Sequence, residues 1–157
     1  MDITFNFPEG HFNYRTAGLF IHDGKVLIMK DGRSPYYYLP GGRIGLHEAS
    51  ADAILREVSE ELHTETTVEK LCYVVESFFI EEVSGEKYHE VAFYHKLSVP
   101  ESLLAEGDEF IRMEGSKTHQ FYWKKISELP DLYFHPGFLK NRLDKLPEHP
   151  EHLVIWE

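Results

Sequence analysis

Three glutamates fall within five residues of this chain, Glu57, Glu60 and Glu61, with Arg56 directly before them. Like charges held this close repel, and folding alone does not require them. Their chemistry is that of hard oxygen ligands. Mg²⁺ in particular is held through a few carboxylates together with substrate phosphates. A bound divalent ion would cancel the repulsion. The competing reading is an acidic face turned to water, the usual place for Glu.

The element that must position these residues reads as a helix from about Ser50 to Leu62. Ala51, Leu55, Val58 and Leu62 recur at i, i+4, i+7 and i+11, which makes one apolar stripe. Ser50 is the expected N-cap, and Asp52 lies in the first turn, where the helix dipole favours an acid. The three glutamates sit at i, i+3 and i+4 and share another face. At the helical repeat that face lies more than roughly 90° from the stripe. Arg56, four residues before Glu60, is placed to hold it.

Strands are expected on either side of this helix. Tyr14–Ile21 and Lys25–Lys30 flank a turn at Asp23-Gly24. A third short strand runs through Tyr36-Tyr37-Tyr38 and stops at Pro40-Gly41-Gly42. Residues 68–82 and 88–99 read as two long strands joined at Ser84-Gly85. Residues 119–126 form another strand, and 152–156 a last one. A second helix is expected in 135–146, with Pro136 in its first turn. Strands outnumber helices and do not alternate with them regularly, so the class is α+β with a mixed sheet.

At 157 residues the chain is expected to be one domain, 1–157. Its formal net charge of −11 and its lack of a Lys/Arg cluster argue against nucleic acid as a partner. A phosphorylated small molecule remains compatible with an acidic protein when a divalent metal lies between the two. No apolar run reaches transmembrane length, and no membrane partner is expected. The N-terminus lacks an apolar leader, and the single cysteine, Cys72, cannot pair internally. Both fit a cytoplasmic location. A homodimer is left open.

The pattern running Gly42, five residues, Glu48, seven residues, Arg56-Glu57, an aliphatic, any residue, Glu60-Glu61 resembles the Nudix box. Leu39-Pro40-Gly41 is similar to that family's entry into the box. Two positions depart: His63 stands where the family has Gly, and Thr64 where it has an aliphatic residue. The resemblance implies a Nudix-type α/β/α sandwich. It implies that Glu57 and Glu61 are metal ligands, that Glu60 ligates metal or helps activate water, and that the Gly41 carbonyl is a further ligand. Arg56 would orient the glutamates, with Glu48 behind it. At His63 the family's Gly suggests a left-handed helix exit, a conformation His tolerates better than most residues.

The general base stays open among Glu57, Glu60 and an acid outside the box. Glu90, inside an otherwise apolar strand, either faces outward by simple alternation or adds an acid to the cluster. Glu76 is a weaker candidate of the same kind. Glu106, Asp108, Glu109 and Glu114 read as a solvated acidic loop from which a further acid could come. Tyr36-Tyr37-Tyr38 reads as packing before base stacking, and Arg15, Arg33 and Arg43 as surface charges before phosphate contacts. The His149/His152 pair is too isolated for zinc.

The implied function is a divalent-metal-dependent pyrophosphohydrolase using Mg²⁺, with Mn²⁺ an alternative. Its substrate is a nucleoside diphosphate linked to another moiety, either a nucleoside triphosphate or a nucleotide sugar. No proline lies between Pro40 and Pro100 and no tyrosine within 77–82, which weakens the ADP-ribose and diadenosine-polyphosphate readings. No motif resembles the coenzyme A or NADH subfamilies. The alternative is a nucleotide-binding Nudix sensor that does not hydrolyse, although such domains lose box glutamates and none is lost here. A prenyl diphosphate isomerase of the same fold would need a reactive cysteine, and Cys72 lies outside any such context.

Overall fold

The computed structural model describes all 157 residues. Nine strands, β1 (Thr4–Phe7), β2 (Gly10–His22), β3 (Lys25–Lys30), β4 (Gly41–Arg43), β5 (Val68–Ile80), β6 (Lys87–Leu97), β7 (Glu109–Glu114), β8 (Lys117–Lys125) and β9 (Glu151–Trp156), form a mixed sheet. Helix α1 (Ser50–Leu62) follows β4, and the short α2 (Glu101–Ala105) follows β6. The main path is β7-β8-β3-β2-β6-β5-β9. The pairs β2–β6 and β5–β9 are parallel, and the others are antiparallel.

Strand β2 organises the site. One of its edges pairs with β6 along ten residues, while the other is shared in turn by β1, β4 and β3. Its side chains alternate between the two faces of the sheet. Thr16 bonds the Ser50 carbonyl at the start of α1, and Phe20 joins the core beneath that helix with Ile54, Val58 and Leu62. The intervening Leu19 joins a second core on the opposite face, with Tyr73, Tyr94, Phe134 and Leu139. Two cores on opposite faces make this a sandwich.

The turn at Asp23-Gly24 has φ of 50° and 73°, the paired positive values that a tight hairpin turn demands. The Tyr36–Tyr38 run is not a continuous strand. Tyr37 and Tyr38 make isolated bridges, and the strand comes later, at Gly41–Arg43. The expected second helix is only a 3₁₀ turn, Gly137–Asn141, beside another at Ile126–Asp131. Leu139 and Leu143 still reach the core, so tertiary packing rather than helical repetition places them. Strand β7 occupies part of the expected acidic loop. It is an edge strand on which Phe110 is buried and Arg112 and Glu114, of the same parity, are half-buried on that side, and charges along an edge, inward-pointing ones included, protect it.

Helix α1 spans the residues expected for it, but two details differ. Its N-cap is Ala49, without a side-chain cap bond. The Ser50 hydroxyl instead meets His95 Nε2 at 3.0 Å. The buried face is Ala53, Ile54, Val58, Glu61 and Leu62, with Ala51 and Leu55 only partly covered. Seven residues after Ile54, Glu61 lies within about 20° of it around the helix. Glu61 therefore belongs to the buried face, and the three glutamates do not share one exposed surface. His63 ends the helix in the left-handed region, φ 53° and ψ 39°, with its N–H bonded to the Ser59 carbonyl at 3.0 Å.

Candidate active site

The glutamates of α1 lie against the short strand β4. A side chain at Gly42 would collide with the Glu57 carboxylate, so only glycine lets that carboxylate settle against the strand. The Gly41 N–H donates to Glu61 Oε1 at 3.0 Å. The three differ in burial: Glu61 is 5% exposed, Glu57 has 15% of its side chain exposed, and Glu60 has 44%.

Arg56 is the hub behind them. Its Nε and one terminal nitrogen grip Glu48 at 2.7 and 2.9 Å. It also donates to Glu57 Oε1 at 3.0 Å, to Glu60 at 3.4 Å, and to the Arg43 carbonyl at 3.1 Å. Glu48 further accepts the Gly45 N–H at 2.9 Å. The Arg56 hydrogen bonds, aided by that N–H, pull the Glu48 carboxyl down to about 2. Glu61 is the opposite case. Burial first, then the Glu57 charge, pushes its carboxyl well above the usual range, opposed by the Gly41 N–H. Burial also raises Glu57, against the pull of Arg56.

The acids named outside the box take different places. Glu114, at the end of β7, adds to the repulsion at both Glu57 and Glu61, and β7 packs on α1. Its Oε1 lies 2.9 Å from Nε2 of the buried His119. Glu106 pairs with Arg112, and Asp108 with Lys25. Glu76 is engaged by His152 at 2.6 Å.

Glu90 does not face the α1 glutamates. On β6, His95 points to α1, and Glu90 has the opposite parity with no irregularity between them. It opens into a cavity of about 610 Å³ on the other face of the sheet. Arg15, Arg43, Tyr36 and Tyr38 line the same cavity, whereas Tyr37 packs against Tyr122. Arg33 is exposed and does not line it. Sequence reasoning placed Arg15 and Arg43 on the surface because it could not see that β2 and β4 are neighbours. Cys72 is wholly buried in the core, which leaves no thiol for isomerase chemistry.

The donor set suits a divalent cation in charge. Glu61 is a buried carboxylate with a single hydrogen-bond donor and two acidic neighbours. No group of three or more His, Cys, Asp or Glu side chains is arranged closely enough to form a complete cage. Edge strand β4 thus separates two halves of one region, with the α1 carboxylates on the helix side and, on the other, a cavity that Arg15 and Arg43 line together with Asp31, Glu81, Glu82, Glu90 and Glu157.

A family model described as the NUDIX domain matches residues 13–141. The MutT Nudix hydrolase of Burkholderia pseudomallei has a TM-score of 0.56 at 23% identity, over 82% of this chain and 95% of that one. The MutT protein of Methanosarcina mazei has a TM-score of 0.59 at 15% identity, over 87% and 92%. An ADP-ribose pyrophosphatase from Streptococcus suis has a TM-score of 0.55 at 18% identity, over 90% and 98%. At these identities the likenesses are of fold. No curated protein matches the sequence. With the family model covering most of its length, the chain belongs to the NUDIX domain family.

Proposed function

We propose that this Nudix protein is a divalent-metal-dependent pyrophosphohydrolase for a nucleoside diphosphate linked to a second moiety, with Mg²⁺ as the ion and Mn²⁺ able to replace it. The observation that carries this reading is the buried, under-compensated carboxylate of Glu61, held beside Glu57 at strand β4. A group costly to bury is retained where function uses its charge. A bound divalent ion offsets phosphoryl charge and activates water for attack on phosphorus. In this reading Glu57, Glu61, the more exposed Glu60 and the Gly41 carbonyl would hold the ion. Arg56 and Glu48 keep the carboxylates in place.

Glu114 is the acid outside the box best placed to take a proton from water. His119 holds it from behind, and its charge is felt at Glu57 and Glu61. Glu90, on the far face of the sheet, serves the substrate instead. The S. suis relative, named for ADP-ribose, is one example of an enzyme for a nucleoside diphosphate joined to another group. The test is phosphate or nucleotide release from a panel of nucleoside triphosphates and nucleotide sugars, with Mg²⁺, Mn²⁺ or EDTA. Turnover with metal that stops in EDTA is expected. Binding without release across the panel would favour a nucleotide sensor.

A further inference from the structure

The floor of the cavity is built in three parallel rows. Residues paired across adjacent strands point to the same side, and successive same-face residues stand about 7 Å apart along a strand. In the first row Arg15 and Arg43 are directly opposite each other on β2 and β4. Two like charges in that relation destabilise a sheet. The ion pair of Arg15, to Glu90, is long at 3.9 Å. An anion between the two guanidinium groups would remove the conflict, and Arg is the side chain suited to phosphate.

The second row is Asn13, Glu90 and Ser77, set side by side on β2, β6 and β5. Asn13 is 5% exposed, and the Glu90 side chain is 16% exposed. Asn13 is the cross-strand neighbour of Glu90, and its own Oδ1 accepts from Thr4 at 2.8 Å; burial raises the Glu90 carboxyl, with Arg15 and then Asn13 pulling against it. A carboxylate has about four acceptor positions, so Glu90 retains acceptor capacity toward the cavity. The third row is Phe79 and Tyr88, whose rings stack at 5.4 Å and 6°. The floor therefore runs from paired cations, through hydrogen-bonding groups led by a carboxylate, to an aromatic surface. Phosphate, polyol and flat ring follow one another in the same order along a nucleotide.

We propose that Glu90 accepts hydrogen bonds from the 2′,3′-diol of a ribonucleotide whose phosphate lies between Arg15 and Arg43, so that this chain selects ribonucleotides over 2′-deoxyribonucleotides. The inference rests on the pyrophosphohydrolase reading, and it names the substrate class for that site. A carboxylate that accepts from a ribose 2′-hydroxyl is a recurrent solution to the same recognition problem. Removing the 2′-hydroxyl leaves a buried acceptor unfilled, which costs more than a surface hydrogen bond.

The experiment measures binding of ADP and dADP, and of GDP, CDP and UDP with their 2′-deoxy forms, in EDTA by calorimetry. The ribo form is expected to bind about tenfold tighter, the factor that about 1.4 kcal/mol supplies. Glu90→Leu, which removes every acceptor, should bring the ratio near one, and Arg43→Ala should weaken both forms alike and keep the ratio. A wild-type ratio near one, a ratio retained in a folded Glu90→Leu, or no binding of any of the eight overturns the proposal. Because the wild-type ratio requires no variant, a Glu90→Leu protein that fails to fold does not remove the test. Turnover with Mg²⁺ is followed in parallel. Selective binding without turnover overturns the hydrolase reading alone, and turnover with a ratio of one overturns the ribose reading alone.

Discussion

Glu48 and Glu61 belong to one motif and flank one strand, yet their surroundings drive them in opposite directions. Glu48 receives two nitrogens of Arg56 and the Gly45 N–H, and its carboxyl is held down to about 2. Glu61 receives one N–H, from Gly41, is almost wholly buried, and is pushed well above the ordinary range by that burial and by Glu57. Burial without pairing disfavours the charged form, and multiple hydrogen bonds to the charge favour it. The difference separates a carboxylate that stabilises the fold from one whose burial works against it.

The sharpest way to break this comparison is Glu61→Gln. A neutral amide can still accept the Gly41 N–H but cannot offer a charge to a metal. Turnover at saturating Mg²⁺ should fall by roughly 100-fold or more, since metal stabilisation of phosphoryl charge is worth several kcal/mol. The melting temperature of the metal-free variant should hold or rise, because an under-compensated buried charge is gone. Near-normal kcat would remove Glu61 from the site.

Metal addition comes next. An ion that binds only the folded state stabilises it by about 2.7 kcal/mol at a hundredfold excess over its Kd. Calorimetric melting should therefore shift upward with Mg²⁺ or Mn²⁺. The shift should shrink in Glu57→Gln and persist in Glu48→Gln. An unchanged melting temperature through tens of millimolar metal would show that these carboxylates do not hold an ion in the absence of substrate.

Glu48→Gln should reverse the signature of Glu61→Gln. Removing a charge that Arg56 grips should lower stability by about 1.5–2 kcal/mol, measured by denaturant unfolding. Activity should fall less than in Glu61→Gln, because Arg56 keeps its bonds to Glu57, Glu60 and the Arg43 carbonyl. A stable Glu48→Gln protein as inactive as Glu61→Gln would place both glutamates in the same role.

The smallest effect is expected at His63. Its left-handed backbone costs a non-glycine residue about 1–2 kcal/mol, while glycine adds chain entropy of about 0.5–1 kcal/mol. His63→Gly should leave stability within about 1 kcal/mol of wild type and kcat within a few-fold. A large activity loss at an unchanged melting temperature would assign His63 to the active site.

Helix α1, its span and its left-handed exit at His63 were legible in the sequence because they are local. A 13-residue apolar periodicity states the span, and the resemblance to the box, which has Gly at this position, implies the exit. The spacing of Glu48, Arg56, Glu57, Glu60 and Glu61 was legible for the same reason. Strands β3, β5, β6, β8 and β9 were also visible as runs of strand-forming residues between turns. The second helix was not foreseeable as a 3₁₀ turn, because Leu139 and Leu143 answer to a core assembled from distant strands. Strand β7 was hidden by its acids, which suit a loop and an edge equally well.

The chemistry of the individual carboxylates was decided only by tertiary structure. Around the helix Glu57, Glu60 and Glu61 spread over about 100°, and which of them is buried depends on whether Ile54 or the Ala51–Leu55 side faces the core. The approach of β4 decides it, by giving Glu61 a backbone N–H and pressing Glu57 against a glycine. In the same way Glu90 is one acid in an apolar strand until parallel pairing with β2 sets it beside Asn13, two places along from the Arg15–Arg43 pair. Periodicity and spacing along the chain determined which residues could do chemistry. Desolvation and the charges of residues far away in sequence determined which of them hold charge under strain, and those are properties of the folded arrangement alone.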